Sequence, residues 1–170
     1  MDERGGRFRR ERTLSRPDIY GRAHFPEPAI CQHCRAIWKK GRWSLDEALR
    51  QEVMRWERPK TVICPACRRI MDDYPAGIVT LKGAYLLAHK EEILQTIRNE
   101  EENSKHKNPL ERIMKIEESL AGSSTTITIT TTDSRLARRL GRVVNKANGG
   151  ELTIKFSHQD ELVRVHWERD

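Results

Sequence analysis

Four cysteines, arranged as the two pairs Cys31-Gln32-His33-Cys34 and Cys64-Pro65-Ala66-Cys67, constrain this chain more than any other feature, and the 170 residues contain no further cysteine. Two residues between cysteines allow both thiolates of a tight turn to face one ion, and two such turns complete a tetrahedral set of sulfurs. The stretch 35–63 between the pairs is longer than the usual gap in a zinc ribbon, so we expect an inserted element there. The spacing predicts one structural Zn²⁺ held by Cys31, Cys34, Cys64 and Cys67.

Two other uses of paired cysteines remain open, namely redox-active dithiols and structural disulfides. The arginine-rich N-terminus has no apolar stretch of the kind that signal peptides carry, so a reducing, cytoplasmic location is expected and metal binding is favoured. No run of apolar residues approaches the length of a membrane span. The sequence also lacks a glycine-rich phosphate loop, a zinc-bound general base and the pattern of a nucleophile with its histidine, so we do not expect an enzyme.

The net charge of +7 is concentrated at the front of the chain, where residues 1–42 hold eleven Lys or Arg against five acids. Residues 1–24 show no periodicity that would bury a face, which predicts a flexible basic arm. Arginine-rich segments commonly order along phosphates, releasing counterions, so we expect the arm to contact nucleic acid. The arginines concerned are Arg4, Arg7, Arg9, Arg10, Arg12 and Arg16.

Residues 25–103 are expected to form a zinc-ribbon domain with an inserted helix and a long following helix. Ser44 and Glu47 fit a capping box, and the apolar stripe that follows predicts a helix ending near Trp56. Strands are predicted over 61–63 and 77–81, and a long polar helix over 84–102. Residues 103–106 have the composition of a linker.

Residues 108–170 are expected to form a small C-terminal module with the order α-β-α-β-β, which makes the fold class α+β. Its first helix is predicted from Asn108-Pro109 to Gly122, and the alternation over 125–130 predicts a strand. A second helix starts at the cap Asp133, and two strands follow over 152–156 and 163–167.

Two further basic surfaces are candidate binding sites for nucleic acid. The helix after Asp133 carries positive charges along its solvent-facing side, which offers a row of phosphate-binding cations. The alternative is a solvated helix whose charges have no partner. Tryptophans 38, 43 and 56 lie among cations of the zinc module, where an exposed ring could stack on bases, but Trp56 is expected in the core. The candidate residues are Arg135, Arg138, Arg139, Arg142 and Lys146 on the helix, and Arg35, Lys39, Lys40, Arg68 and Arg69 around the knuckles.

The knuckles, the Thr-rich strand and the segment Leu136-Ala137-Arg138-Arg139-Leu140-Gly141 together resemble a family of bacterial zinc-ribbon proteins over about residues 25–169. That family is distantly similar to the N-terminal part of the adaptors that export large ribosomal subunits. The resemblance implies a zinc ribbon and contact with ribosomal RNA. The adaptors carry more Cys-x-x-Cys pairs than this chain has.

Together these features predict a cytoplasmic zinc- and RNA-binding protein that associates with the ribosome as a hibernation, stress or assembly factor. The alternatives are a zinc-stabilised protein-interaction adaptor, which would bind a protein through the acidic stretch 90–118, and a DNA-binding regulator. We expect no membrane contact.

Overall fold

A computed structural model describes Tyr20 and residues 24–159 and 161–170, and shows an α+β protein with four helices and two mixed sheets in that part of the chain. The six arginines predicted to form a basic arm lie outside the described residues. No helix of the described part is long and apolar enough to cross a membrane. The elements in chain order are β1 (Ala29–Cys31), β2 (Ile37–Lys39), β3 (Arg42–Ser44), α1 (Glu47–Trp56), β4 (Lys60–Val62), α2 (Pro65–Met71), β5 (Gly77–Lys82), α3 (Ala84–Lys107), β6 (Ile113–Ala121), β7 (Ser124–Thr131), α4 (Ser134–Asn148), β8 (Glu151–Ser157) and β9 (Leu162–Glu168).

The smaller sheet has the strand order β3-β2-β1-β4, with β1 and β4 parallel and the other neighbours antiparallel. Helix α1 is the predicted insertion between the knuckles, and it packs Val53 on Ile30 and Ile37 of the sheet. The capping prediction was wrong by two residues. Asp46 accepts the helix-capping hydrogen bond from the Leu49 amide, because the Ser44 hydroxyl instead accepts from the amide of Asp46.

The larger sheet has the strand order β6-β7-β5-β9-β8, in which only β5 and β9 are parallel neighbours. Helices α3 and α4 pack on one face of this sheet and on each other. Alternate residues of the central strands, such as Val79, Ile129 and Val165, point to the helices and meet Ile93 and Leu140 there.

The first element of the predicted C-terminal module is a strand and not a helix, so the order α-β-α-β-β was wrong. Residues 113–121 form β6, which pairs with β7 and places Ile116 opposite Ile129. Gly122 has φ of +65° at the turn between them, a conformation that suits a tight hairpin. The strongly β-forming Thr and Ile residues of β7 give 113–121 a partner, and pairing overrides the helical spacing of its apolar residues.

The expected linker at 103–106 is also helical, because α3 continues to Lys107 and buries Ser104 against the rest of the fold. Strand β5 lies between β7 and β9, so the larger sheet takes its central strand from before the predicted boundary. A division of the chain at 103–108 would therefore separate β5 from both of its neighbours.

Replacing Leu140 by Ala is expected to lower the free energy of unfolding by about 2–5 kcal/mol, because the side chain is fully buried between α4 and the sheet. Leu87→Ala on α3 is the matched control, since Leu87 is 57% exposed and its truncation should change stability by less than about 0.5 kcal/mol. Urea unfolding followed by circular dichroism measures both. Equal losses for the two variants would contradict the assigned core.

Candidate metal centre

The two cysteine pairs are presented by two different local structures. Cys31 ends β1, and the following turn returns the chain through hydrogen bonds from the Arg35 amide to the Cys31 carbonyl and from the Cys31 amide to the Ala36 carbonyl, both 2.9 Å. Arg35 completes this turn with φ of +66°. Cys64 is the N-cap of the short helix α2, and Cys67 lies in its first turn. Each pair thus presents two sulfurs on the same side of a tight bend.

The sulfur atoms of Cys31, Cys34, Cys64 and Cys67 all lie within 4.8 Å of one another, as the spacing predicted. The Cys34 and Cys64 sulfurs are 3.7 Å apart, far longer than a disulfide bond. Sulfurs at the corners of a tetrahedron around zinc lie about 3.8 Å apart, given a metal–sulfur bond of about 2.3 Å. The residues present therefore fit one tetrahedral metal ion.

Two backbone amides donate hydrogen bonds to the sulfurs. The amide of Cys67 donates to the Cys64 sulfur at 3.4 Å, and the amide of Cys64 donates to the Cys31 sulfur at 3.3 Å. Three of the four cysteines are buried and Cys34 is half-buried. This environment is dry and preorganised, and hydrogen bonds to sulfur favour the thiolate form that a metal ion requires.

Arg112 also belongs to this site, and the sequence analysis did not identify it. Its guanidinium donates to the sulfurs of Cys34 at 3.1 Å and Cys67 at 3.3 Å, and a longer contact of 3.8 Å reaches Cys64. Arg112 lies between α3 and β6, far from both knuckles along the chain. No spacing rule links an arginine to a distant metal site, so only the tertiary structure could reveal it.

Contacts with Pro109 and Thr132 fix the position of this arginine. Its Nε donates to the Pro109 carbonyl at 2.7 Å, and its backbone amide donates to the Thr132 hydroxyl at 2.9 Å. The Thr132 amide donates back to the Arg112 carbonyl at 2.9 Å, and Leu110 packs among the cysteines. The guanidinium is therefore held at the sulfurs by the residue that follows β7 of the larger sheet.

These contacts shift the pKa values of three of the cysteines and of Arg112. Hydrogen bonding with Cys64 and Cys67 lowers the pKa of the Cys34 thiol well below its usual range, and the contact with Cys34 raises the pKa of Cys64 and, to about 11, that of Cys67. Burial lowers the pKa of the Arg112 guanidinium, but the charges of Cys34 and Cys64 and the hydrogen bonds to Cys34 and Cys67 together outweigh burial, so the pKa is raised overall. Arg112 thus places a permanent positive charge against the sulfurs.

The three tryptophans near the cysteine pairs, Trp38, Trp43 and Trp56, differ in burial. Trp43 is buried, and Trp38 is half-buried against it with ring centroids 5.5 Å apart. Phe25 packs edge-on against both rings beside the metal site. The expectation that Trp56 lies in the core was wrong, since its side chain is 73% exposed.

The cations around the knuckles have different surroundings. Lys39 forms an ion pair with Glu57 and lies 3.9 Å from Glu52. The hydrogen bond to Glu57 raises the pKa of Lys39. The Arg69 guanidinium lies 4.4 Å from the ring centre of Tyr20 and 5.6 Å from that of Tyr74. Both Lys39 and Arg69 thus have structural partners. The remaining predicted cations of this group, Arg35, Lys40 and Arg68, are exposed.

The cations of helix α4 also fall into two groups. Arg139 bonds the carboxylates of Glu100 and Glu111, and Arg135 pairs with Asp133 and lies 3.7 Å from Glu111. Glu111 is only 4% exposed, so these pairs are part of the packing between α4 and the segment before β6. The other three cations form no ion pair within the described part of the chain: Arg138, Arg142 and Lys146.

No protein-family model, curated protein or solved structure matches the chain. The resemblance to bacterial zinc-ribbon proteins therefore remains a prediction. The site itself defines a protein with a four-cysteine centre positioned to hold one metal ion.

Purified protein is expected to contain about one metal ion per chain, and Cys64→Ser is expected to lose it, because three sulfurs cannot close the tetrahedral set. Elemental analysis after dialysis measures the stoichiometry. Ser123→Ala, in the exposed turn between β6 and β7, is the control and should retain the metal. Full metal content in Cys64→Ser would contradict the assignment.

Replacing Arg112 by Met is expected to weaken metal binding by about 10- to 100-fold, because the sulfurs lose their charged hydrogen-bond donor. Competition with a chromogenic chelator measures the affinity. Arg112→Lys keeps the charge but cannot span two sulfurs, so it should fall between Met and the native residue. Affinity unchanged in both variants would show that the guanidinium only packs beside the site.

Proposed function

We propose that the chain is a zinc-stabilised protein that binds structured RNA, with the ribosome as its target. The metal is zinc because four thiolates in a closed tetrahedral arrangement are the donor set that structural zinc sites use. Four protein ligands leave no coordination position for a substrate, so the zinc folds the front of the chain and the chemistry of binding lies on the surface.

The observation that carries the RNA-binding proposal is the row of Arg138, Arg142 and Lys146 on α4. Residues four apart lie on the same side of a helix, about 6 Å apart along its axis. No acid within the described residues forms an ion pair with them, although Glu100 and Glu111 pair with the two neighbouring arginines. Three uncompensated cations in a line repel one another, and phosphates would relieve that repulsion.

The wider charge distribution supports the same partner. The chain has a net charge of +7, and six arginines lie within its first sixteen residues. Exposed Arg35, Lys40 and Arg68 add positive charge beside the metal site. Ribosomal RNA offers dense phosphates on structured surfaces, which suits a protein with several separate basic regions. A role in hibernation, stress response or assembly would follow from such binding.

Binding to ribosomal subunits is expected to weaken steadily as salt rises, and Arg138→Gln/Arg142→Gln/Lys146→Gln should lower the slope of log affinity against log salt by about 2–3. Cosedimentation across a salt series measures this slope. Arg7→Ala/Arg9→Ala/Arg10→Ala tests the basic arm by the same readout.

Lys82→Gln is the control, because Lys82 is an exposed cation on the sheet face that points away from α4. It should leave the slope nearly unchanged. Binding that responds neither to salt nor to either set of substitutions would contradict RNA binding and would indicate a protein contact.

A further inference from the structure

The structure assigns a second kind of RNA contact to the end of helix α1: we infer that Trp56 and the cations beside it form a stacking site for unpaired nucleotides. This inference rests on the proposed RNA-binding function and specifies which RNA the zinc module recognises.

Trp56 is strongly exposed, whereas the other three tryptophans of the chain are buried or half-buried. Its side chain is 73% exposed, whereas Trp43 is 8% and Trp167 is 1% exposed. The contact between α1 and the small sheet is centred on Val53, with Leu49 packed beside it, and Trp56 at the end of the helix takes no part in it. A ring of this size in water has a large unfavourable contact with solvent that a stacked base would remove.

The charges around Trp56 favour an anionic partner. The Arg55 guanidinium lies 4.9 Å from the ring centre, and Arg58 and Lys60 are exposed in the next four residues. The one acid in this stretch, Glu57, has its carboxylate bound to Lys39. The segment 55–60 therefore presents three cations and one ring to solvent, and no ion pair within the described residues neutralises these cations.

An aromatic ring flanked by cations suits single-stranded RNA better than a duplex. In a duplex the faces of the bases are stacked on each other, and only the edges and the backbone are accessible. In an unpaired segment a base can lie on the indole ring while its phosphates contact arginine or lysine. Trp56 thus favours RNA with unpaired nucleotides, while the row on α4 binds phosphates of any RNA.

The test compares two labelled RNAs: a hairpin with a short 3′ extension of unpaired adenosines, and the same hairpin with a blunt end. Fluorescence anisotropy titrations at fixed salt measure the affinity of the full chain for each. Native protein should prefer the extended hairpin, and Trp56→Leu should lose about 5-fold or more in affinity for it, with the blunt hairpin unaffected. Trp56→Phe should keep part of the preference, because a smaller ring still stacks.

Leu120→Ala is the matched control, because Leu120 is 72% exposed on β6 and should not affect either titration. Unfolding curves of Trp56→Leu should match those of the native chain, since an exposed side chain contributes little to packing. Equal affinities of native and Trp56→Leu protein for the extended hairpin would overturn the stacking site but leave the RNA-binding function standing, provided the triple α4 variant still weakens binding to both RNAs. Failure of the native chain to bind either hairpin or ribosomal subunits would overturn the function itself and this inference with it.

Discussion

The contact between the Arg112 guanidinium and the cysteine sulfurs connects the two halves of this protein. Four thiolates around a divalent metal ion carry two excess negative charges, and moving such a group out of water is costly unless charge and hydrogen bonds compensate it. Arg112 supplies both, with donors to Cys34 and Cys67. Arg112 is also hydrogen-bonded to Thr132, which directly follows β7 of the larger sheet. The arginine that compensates the charge of the sulfurs therefore also connects the cysteine cluster to that sheet.

The segment 108–112, which contains Arg112, also determines which arginines of α4 form ion pairs. Glu111 precedes Arg112 and is buried, so its charge requires partners, and it has them in Arg139 and Arg135. These ion pairs hold α4 against the segment 108–112. Arg138, one residue from Arg139, forms no ion pair within the described residues. The burial of a single carboxylate thus separates the paired arginines of this helix from the unpaired cations on which the proposed RNA contact rests.

Features that depend on local sequence could be predicted, and those that depend on distant partners could not. The cysteine spacing predicted the four-sulfur cluster, and the apolar stripe ending at Trp56 predicted the inserted helix. Residues 113–121 carry apolar positions compatible with a helix or a strand, and only pairing with β7 decides between them. The exposure of Trp56 depends on how α1 packs on the small sheet, and the contact of Arg112 with the cysteines joins residues far apart in sequence.

The enclosure of the metal centre gives the strongest reason to look for function elsewhere on the molecule. A metal that acts on a substrate needs an open coordination position, whereas here four sulfurs surround the site and an arginine covers it. A metal ion held by these cysteines would supply a rigid base for the small sheet, whose strands of three residues bury little apolar surface against α1. Of the ten residues of α1, only Val53 is buried, on Ile30 and Ile37 of this sheet. So small an apolar contact limits what the sheet alone can contribute to folding, and four cysteines positioned for one metal ion offer the additional stabilisation that such a region requires.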